Sequence, residues 1–384
     1  MERKTGHYET RAVGGESVHA FIPAPLPPDP PLDLTPARQR LLERATLALG
    51  RLDKAGELLP NANLLLYAYV RREAVLSSQI EGTQSSLSDL LLFELDAVPG
   101  LPVEDVVEVS NYVVALHHGV DRMRGGFPFC NRLIREMHRT LLSRGRGSDK
   151  LPGEFRRTQN WIGGTRPGNA HFVPPPPDHV ERCMGSLERF MQKPDGSALV
   201  RAALAHVQFE TIHPFLDGNG RVGRLLIPLL LHNHGALKQP LLYLSLFFKL
   251  HRSEYYRLLD KVRADGDWEA WLDFFLEGVE VTANGAIHAA QRLATLFDED
   301  MARLDVLGQS AKAARSLLDA LRERPVATLN VVRDMTGFSF PTVAKSMGAL
   351  QRLGIVREQT GRRRNRVFVY QAYLAILNEG TEPL

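Results

Sequence analysis

Apolar residues recur every three to four positions along most of this chain, which is the spacing that one buried face of a helix produces. Alternating apolar and polar positions, the pattern of strands, are confined to short runs. The fold class is therefore predicted to be mostly α. The helical patterns upstream of residue 305 span about 35–50, 61–81, 85–95, 103–124, 130–144, 178–192, 197–212, 219–234, 242–264 and 267–304.

The second helical pattern ends in an unusual way. Its apolar positions form one stripe and it stops at Gly82, a residue that suits a helix C-terminus. Glu81 then falls in the last turn, where the helix dipole disfavours a carboxylate. Taken by spacing alone, Glu81 is best interpreted as a solvated side chain. The stripe consists of Leu64, Leu65, Ala68, Val75 and Leu76.

Two short β-prone runs lie between the fifth and sixth helical patterns. Residues 160–164 and 170–173 flank the turn Thr165-Arg166-Pro167-Gly168-Asn169, whose Pro and Gly favour a reversal of the chain. This pattern predicts a small β-hairpin, for which a surface hairpin is an adequate interpretation. The four prolines at 174–177 predict a stiff, extended stretch after it.

The pattern changes again after Ser310. A helix is predicted over 311–321, and segments 331–335 and 341–353 flank a Thr-Gly-Phe-Ser turn, as in a helix-turn-helix. Two strands, 355–357 and 366–370, surround a basic turn. This order resembles a winged helix-turn-helix domain. Its second helix, in the position of a recognition helix, carries Ser339, Thr342, Lys345 and Ser346.

Positive charge is concentrated in this C-terminal segment. Residues 310–384 hold twelve Lys and Arg against six Asp and Glu, a balance of +6, whereas the whole chain is only +3. A basic wing favours contacts with phosphates, so DNA is a possible partner of residues 310–384. The alternative is a protein-interaction or dimerisation module with a solvated wing.

Composition and length describe an ordinary globular protein. The chain has 384 residues, 44% hydrophobic and 24% charged, enough for two or three domains. Apolar stretches such as 225–231 fall well short of the roughly 18 residues that cross a bilayer, so no membrane partner is expected. No signal peptide is visible, and two cysteines, Cys130 and Cys183, argue against a disulfide framework. These features predict a cytoplasmic protein.

The candidate chemistry lies in one segment, 213–224. Gly218-Asn219-Gly220 stands where a loop enters the next helix, so free backbone N–H groups and the helix dipole form an anion site. Glycines allow the backbone to approach a phosphate closely. Arg221 and Arg224 lie one turn apart and are suited to phosphate oxygens.

Two further side chains complete this segment. Asp217 offers a hard oxygen ligand for Mg²⁺, and His213 is a base that is neutral near pH 7. Each feature alone has a structural explanation, but their combination predicts a phosphoryl or nucleotidyl transfer site. The segment lacks the Gly-Lys-Ser/Thr ending of a Walker loop and the Gly-x-Gly-x-x-Gly of dinucleotide folds.

The segment matches the pattern H-x-F-x-[D/E]-G-N-G-R-x-x-R at every specified position, and the chain thereby resembles the Fic family. Fic proteins are mostly adenylyltransferases, which transfer AMP from ATP to protein hydroxyls. The resemblance implies that His213 deprotonates a Ser, Thr or Tyr hydroxyl of a target protein and that Asp217 holds Mg²⁺. The ATP- and phosphate-binding residues that it implies are Gly218, Asn219, Gly220, Arg221, Val222, Gly223 and Arg224, with Tyr256 at the adenosine.

The resemblance extends to the helix that ends at Gly82. Ser77 and Glu81 match the Fic inhibitory motif [S/T]-x-x-x-E-[G/N], here placed N-terminal to the core in the same chain. In the family this glutamate pairs with the second motif arginine, here Arg224, and blocks the γ-phosphate site. The hairpin at 160–173 would be the flap that holds the target segment by strand addition.

The implied architecture is a Fic-type helical core with a small β-hairpin flap and a C-terminal winged helix-turn-helix. Its predicted parts are an N-terminal region with the inhibitory helix (1–105), the catalytic core (106–290), a helical linker (291–309) and the winged module (310–384). The implied activity is adenylylation of target proteins and of the chain itself, with a homodimer possible. Alternatives are removal of AMP, transfer from another nucleotide, and a DNA-binding regulator whose Fic core only senses nucleotide.

Overall fold

The computed structural model describes residues 3–55, 62–95, 103–362 and 364–382. The predicted start of the second helix at Asn61 and the side chains of Leu64 and Leu65 lie outside what is described. In the described ranges the helices are α1 (Pro36–Ala55), α2 (Ala62–Ile80), α3 (Leu87–Phe93), α4 (Val103–Arg124), α5 (Asn131–Leu141), α6 (Pro177–Met191), α7 (Ala198–Ile212), α8 (Asn219–Asn233), α9 (Ser245–Leu250), α10 (Arg252–Asp265), α11 (Trp268–Arg303), α12 (Ala311–Glu323), α13 (Leu329–Thr336), α14 (Phe340–Arg352) and α15 (Gln371–Asn378). The strands are β1 (Gly6–Val13), β2 (Glu16–Pro23), β3 (Val326–Thr328), β4 (Arg357–Glu358) and β5 (Val367–Val369).

The fold is mostly α, as predicted, and is built around α7. Nearly every side chain of α7 is buried, on all its faces, because α6, α8 and α11 surround it. The long helix α11 closes this layer, and its Trp271 indole N–H donates to the Ala203 carbonyl of α7 at 2.9 Å. The aromatic residues of α11 pack in the core, since Trp268, Trp271, Phe274 and Phe275 are all buried.

The prediction of one continuous helix over 242–264 is wrong. Its place is taken by α9 and α10, which are separated at His251, whose φ of −111° and ψ of 35° are not helical. The His251 ring nitrogen Nδ1 lies 3.0 Å from the Phe247 carbonyl oxygen. A side chain that hydrogen-bonds the backbone of a residue four positions earlier competes with the backbone hydrogen bonds that continue a helix.

The most regular β-structure lies at the N-terminus, where the pattern analysis predicts no strand. Strands β1 and β2 pair antiparallel from Gly6 opposite Pro23 to Val13 opposite Glu16, across the turn Gly14-Gly15. Both turn glycines have positive φ, which two-residue hairpin turns require. The Gly-Gly pair between alternating residues was the available signal for this hairpin.

At 160–173 the predicted hairpin is reduced to one antiparallel bridge. Ile162 pairs with Phe172, and Phe21 of β2 donates to the Val173 carbonyl oxygen at 2.9 Å. Between the paired residues the chain forms a 3₁₀ turn at Pro167–Asn169. There the Asn169 side-chain oxygen accepts from the Thr165 and Arg166 N–H groups, both at 3.0 Å. These local bonds replace the ladder that a longer hairpin would form.

The C-terminal segment contains the three predicted helices, α12, α13 and α14, and the two predicted strands, β4 and β5. It also contains two elements that were not predicted: β3, which lies between α12 and α13 and completes an antiparallel sheet in the order β3-β5-β4, and α15. Helix α13 ends at Gly337, whose φ of 71° reverses the chain into α14. One of the four residues named for the predicted recognition helix is not accessible. Ser346 is buried, because it shares the inner face of α14 with Val343 and Met347, whereas Ser339 and Lys345 are exposed.

Within the described ranges, no helix combines the length and the apolar character needed to cross a membrane.

Candidate active site

The loop from His213 to Gly220, called the motif loop below, begins with a strained residue. His213 caps α7 with φ 49° and ψ 60°, a left-handed conformation that non-glycine residues adopt at some cost. The buried Arg156 holds it there, since its Nε donates to the His213 carbonyl oxygen at 2.9 Å and its backbone N–H donates to that of Pro214 at 2.9 Å. Sequence reasoning gave no role to Arg156.

The motif loop is closed by the side chain of Asn219. Its Oδ1 accepts from the Phe215 N–H at 2.9 Å and its Nδ2 donates to the Phe215 carbonyl oxygen at 2.8 Å. Gly218, which precedes α8 with φ 76°, has no side chain to cap the helix. The N-terminus of α8 is thus held open toward the loop, as an anion site requires.

Glu81 and Arg224, 143 residues apart in sequence, form an ion pair at this helix N-terminus. An oxygen of the Glu81 carboxylate lies 2.7 Å from Arg224 Nη2. Ser77 completes the contact, because Arg224 donates to its Oγ at 2.8 Å and to its carbonyl oxygen at 2.9 Å. The structure therefore brings together three residues that the sequence analysis grouped by resemblance.

The same carboxylate lies directly over the glycine turn. A Cβ built on Gly220 would be 2.2 Å from Glu81 Oε1, so any side chain at this position would collide with the carboxylate. Glu81 thus occupies the space above the first turn of α8, where an anion gains from the helix dipole.

The pKa values of this pair reflect its environment. Burial alone would raise the pKa of Glu81, but the charge and hydrogen bond of Arg224 outweigh it and hold that pKa below its usual range. For Arg224, burial acts against the charge, yet the Glu81 carboxylate raises the pKa of the guanidinium. Both groups are therefore charged at neutral pH.

Helix α2 is fastened beside this pair by residues far away in sequence. The buried Gln79 donates through Nε2 to the Ser85 carbonyl oxygen at 3.0 Å and to that of Thr381 at 2.9 Å. Lys249 Nζ donates to Gln79 Oε1 at 2.7 Å and also to the Glu382 carbonyl oxygen. Residues 379–382 are thus part of the support of α2.

Arg221 lies deeper than its expected phosphate-binding role suggests. Its Nη1 is 2.6 Å from Glu108 Oε1 of α4, and both side chains are nearly inaccessible to solvent. Its Nη2 is 3.5 Å from Asp217 Oδ1. Arg221 therefore connects α4 to the motif loop, and Glu108, which sequence reasoning missed, neutralises it. Neighbouring Val222 is completely buried, and the Gly223 carbonyl oxygen lies 2.9 Å from His206 Nδ1.

A second histidine, His138, supports the motif loop from α5. Its Nδ1 accepts from the Gly153 N–H at 2.8 Å, which leaves the Nε2 proton for the Asp217 carbonyl oxygen at 3.0 Å. The ring stacks on Phe215 with centroids 3.7 Å apart. Burial lowers the pKa of His138 to about 4, so the ring is neutral. Only tertiary packing identifies this residue, since its helical position gives no sequence signal.

Replacing His138 by asparagine should change how stability depends on pH. In the unfolded chain a histidine titrates near pH 6.5, whereas the folded His138 resists protonation to about pH 4. Its stabilising effect is complete above pH 6.5 and is lost as pH falls toward 4. The gap in unfolding free energy between wild type and His138→Asn should narrow by roughly 2–3 kcal/mol from pH 7 to pH 4.5 in urea titrations. A gap that is independent of pH would contradict this account.

Tyr256 lies near the ion pair and not at its centre. It is 38% exposed, and Arg252 lies over its ring at 5.4 Å. Burial and then the charge of Glu81 raise its pKa, which is consistent with a position beside the site. Its neighbour Tyr255 is buried and lies 2.9 Å from His206 Nε2, so Tyr255 joins α10 to α7.

His213 is neutral in this environment. Burial, followed by the charge of Arg156, lowers the pKa of His213 to about 4. A neutral imidazole beside an anion site is suited to accept a proton at physiological pH. The fold and the site together define a helical protein in which an internal carboxylate, paired with one arginine, lies over a glycine-bounded helix N-terminus and near a neutral base.

Comparison with known proteins finds similarity to one family in two segments of the chain. The model described as Fic/DOC family N-terminal matches residues 39–121, and the Fic/DOC family model matches residues 128–231. Residues 39–121 and 128–231 are thus similar in sequence to the two parts of the Fic/DOC family. Neither match includes the segment after residue 231.

Individual relatives and a solved structure show the same similarity. Protein adenylyltransferase Fic of Drosophila grimshawi and that of Drosophila melanogaster are each 31% identical over 208 residues, 53% of this chain. The chain spans only about two fifths of the length of these curated relatives, 40% and 39%. A Fic family protein from Desulfovibrio desulfuricans G20 has the same fold, with a TM-score of 0.57 at 21% identity over 88% of this chain and 97% of that one.

Proposed function

We propose that this protein is an adenylyltransferase that transfers AMP from ATP to Ser, Thr or Tyr hydroxyls of target proteins and of itself, and that Glu81 inhibits it. The observation that carries the proposal is the Glu81 carboxylate above Gly220, 2.7 Å from Arg224 and near the neutral His213. A carboxylate held at a helix N-terminus by an arginine occupies a place suited to a phosphate.

The residues of the motif loop would divide the reaction between them. His213 takes the proton of the target hydroxyl as its oxygen attacks the α-phosphorus; the new O–P bond forms while the bond to the β-phosphate oxygen breaks and pyrophosphate leaves. The N–H groups at the start of α8 stabilise the phosphate charge, and Arg224 binds the γ-phosphate once Glu81 has left it.

The residues present are compatible with Mg²⁺. Asp217 uses Oδ1 to accept from the Gly218 N–H at 2.6 Å, and its side chain is 27% exposed. Among the described residues no group of three or more His, Cys, Asp or Glu is arranged to hold a metal. A single accessible carboxylate suits Mg²⁺, which keeps several waters and shares phosphate oxygens with its substrate. Asp217 would hold the ion, which would neutralise phosphate charge.

Intact-mass measurement of the Glu81→Gly variant tests this function. The protein is incubated with Mg²⁺ and either ATP, GTP, CTP or UTP. A mass gain equal to AMP with ATP supports the proposal. A gain of the corresponding nucleotide only with another triphosphate would assign a different nucleotidyl transfer, and a gain equal to phosphate would assign a kinase-like reaction. No gain with any of the four would favour the nucleotide-sensor alternative.

A second candidate function, DNA binding, is favoured by the charge of residues 310–384, which carry a balance of +6. Arg357, Arg362 and Arg364 are exposed on or next to the loop between β4 and β5. Lys345 on α14 and Ser339 at its N-cap are also exposed. In a winged helix-turn-helix these two parts face the DNA, with the wing contacting phosphates.

The paired substitution Arg362→Gln/Arg364→Gln should weaken duplex binding at every sequence. Each lost phosphate contact lowers the slope of log K against log salt by about 1, so the slope should fall by about 2. Fluorescence anisotropy of a labelled duplex at several salt concentrations measures it. Arg40→Gln/Arg51→Gln, at two exposed positions of α1, is the charge-matched control. If the two paired variants bind alike, the wing is not the contact surface.

A further inference from the structure

A cavity apart from the motif loop lies beside α2 and is bordered by α9, α11 and the segment after α15. Its volume is about 400 Å³, within the range of small-molecule sites in proteins. No residue of the motif loop lines it. Its walls are mainly apolar and include Leu76, Leu246, Phe247, Val281, Ala286 and Ile376.

Four residues that line this space carry a buried polar atom without a hydrogen-bond partner among the described residues: Tyr69, Arg72, Glu73 and Tyr243. Glu73 of α2 uses Oε1 to accept from Tyr112 at 3.1 Å and from Ser245 at 2.5 Å. Its other oxygen, Oε2, and the Tyr243 hydroxyl have no hydrogen-bond partner among the described residues. Both side chains line the cavity and are at least 94% buried. A buried polar group without a partner is unfavourable, so four of them at one mainly apolar cavity, counting the Tyr69 hydroxyl and Arg72 Nε, indicate a ligand that supplies the partners.

The charge state of Glu73 limits the chemistry of that ligand. Burial raises the pKa of Glu73 to about 7, so a large share of the carboxyl is protonated at neutral pH and donates a hydrogen bond. The charge of Glu73, after burial, raises the pKa of Tyr243, so that hydroxyl stays neutral and also donates. Arg72 Nε and the Tyr69 hydroxyl are further donors, so the four groups together favour an acceptor oxygen, and the partly ionised Glu73 carboxyl disfavours an anionic one.

The mouth of the cavity is also apolar. Leu250 and Val281, which line it, are 65% and 54% exposed, an unusual exposure for such side chains. We propose that this cavity binds a small uncharged molecule that is mostly apolar and carries a carbonyl or hydroxyl oxygen, which accepts from Glu73 and Tyr243. This site is separate from adenylyl transfer, and its test measures binding alone.

Straight-chain primary amides from butanamide to decanamide are suitable probes, with isothermal titration calorimetry of the full chain as the measurement. Affinity should rise about fourfold for each added methylene until the cavity is filled. The carboxylate of equal chain length should bind at least tenfold more weakly than the amide, because it must lose its hydration beside a carboxyl. No saturable binding of any amide, or a preference for the carboxylate, overturns the proposal.

Gly285 offers a matched pair of variants for locating the site. It lines the cavity, and a Cβ built on it meets no atom within 4 Å. Gly285→Ala should bind amides like the wild type, whereas Gly285→Trp should fill the cavity and weaken binding at least tenfold. If Gly285→Trp does not fold, Val281→Trp at the mouth replaces it. Equal binding by the tryptophan variant and Gly285→Ala would show that the amides bind elsewhere.

Discussion

Replacing Glu81 by glycine should raise the rate of self-modification by about ten- to a hundredfold. The substitution removes the carboxylate that lies 2.7 Å from Arg224 and over Gly220. A hydrogen bond to a charged group contributes roughly 1.5–3 kcal/mol, and each 1.4 kcal/mol is a factor of ten. The guanidinium then becomes available to a γ-phosphate, while the Ser77 contacts still hold it in place.

The measurement is the initial rate of AMP addition with ATP and Mg²⁺, followed by intact mass. Glu81→Gln, which keeps the size of the side chain and removes its charge, should be activated nearly as much if charge competition is the cause. Glu104→Gln, at an exposed position of α4, should behave as the wild type. Equal rates for wild type and Glu81→Gly would refute the inhibitory role of Glu81.

Adding His213→Ala to Glu81→Gly should abolish most of this gain. A positioned general base contributes about 10²–10⁴-fold, and the lowered pKa of His213, about 4, keeps the ring neutral at pH 7. For the same reason, kcat/KM of Glu81→Gly should not fall between pH 8 and pH 5.5 through titration of this base. A histidine with an ordinary pKa would lose activity near pH 6.5.

The control for this experiment is His7→Ala in the Glu81→Gly background, because His7 is an exposed histidine of β1 that lies 3.7 Å from Glu9. Its rate should stay within about twofold of the single variant, as surface substitutions usually do. Nucleotide binding by the His213→Ala double variant, measured with ATP and Mg²⁺, should persist. If the double variant reacts as fast as Glu81→Gly, His213 does not act as the general base.

The sequence allowed the motif loop to be predicted because its geometry is local. A glycine-flanked turn followed by an apolar helix determines where the N–H groups of α8 point, and the charged residues lie within one turn of it. The Glu81–Arg224 pair spans 143 residues and followed only from family resemblance. By spacing alone a solvated Glu81 was favoured, and its side chain is in fact one-third exposed but ion-paired.

The supporting residues could not be predicted in the same way. Glu108, His138 and Arg156 act through partners 57 to 113 positions away along the chain, as the pairs Arg156–His213 and Glu108–Arg221 illustrate. Nothing in their own segments distinguishes them from ordinary helix and loop residues. The break at His251 and the shortened flap have another cause, since in both places a side chain bonds nearby backbone and overrides the periodic pattern.

Because Glu81 belongs to the same chain as Arg224, the proposed inhibition would make it compete with nucleotide at an effective concentration and not at a bulk one. A tethered group of this kind acts at millimolar concentration or above, whatever the amount of protein present. Severalfold changes in ATP concentration would therefore alter the fraction of Arg224 bound to nucleotide only modestly. A shift of α2 would instead remove the Glu81 carboxylate from Arg224 altogether. The event expected to relieve inhibition is therefore a displacement of α2 and not a rise in ATP. The hydrogen bonds of Gln79 with Lys249 and with the Thr381 carbonyl oxygen would oppose that displacement.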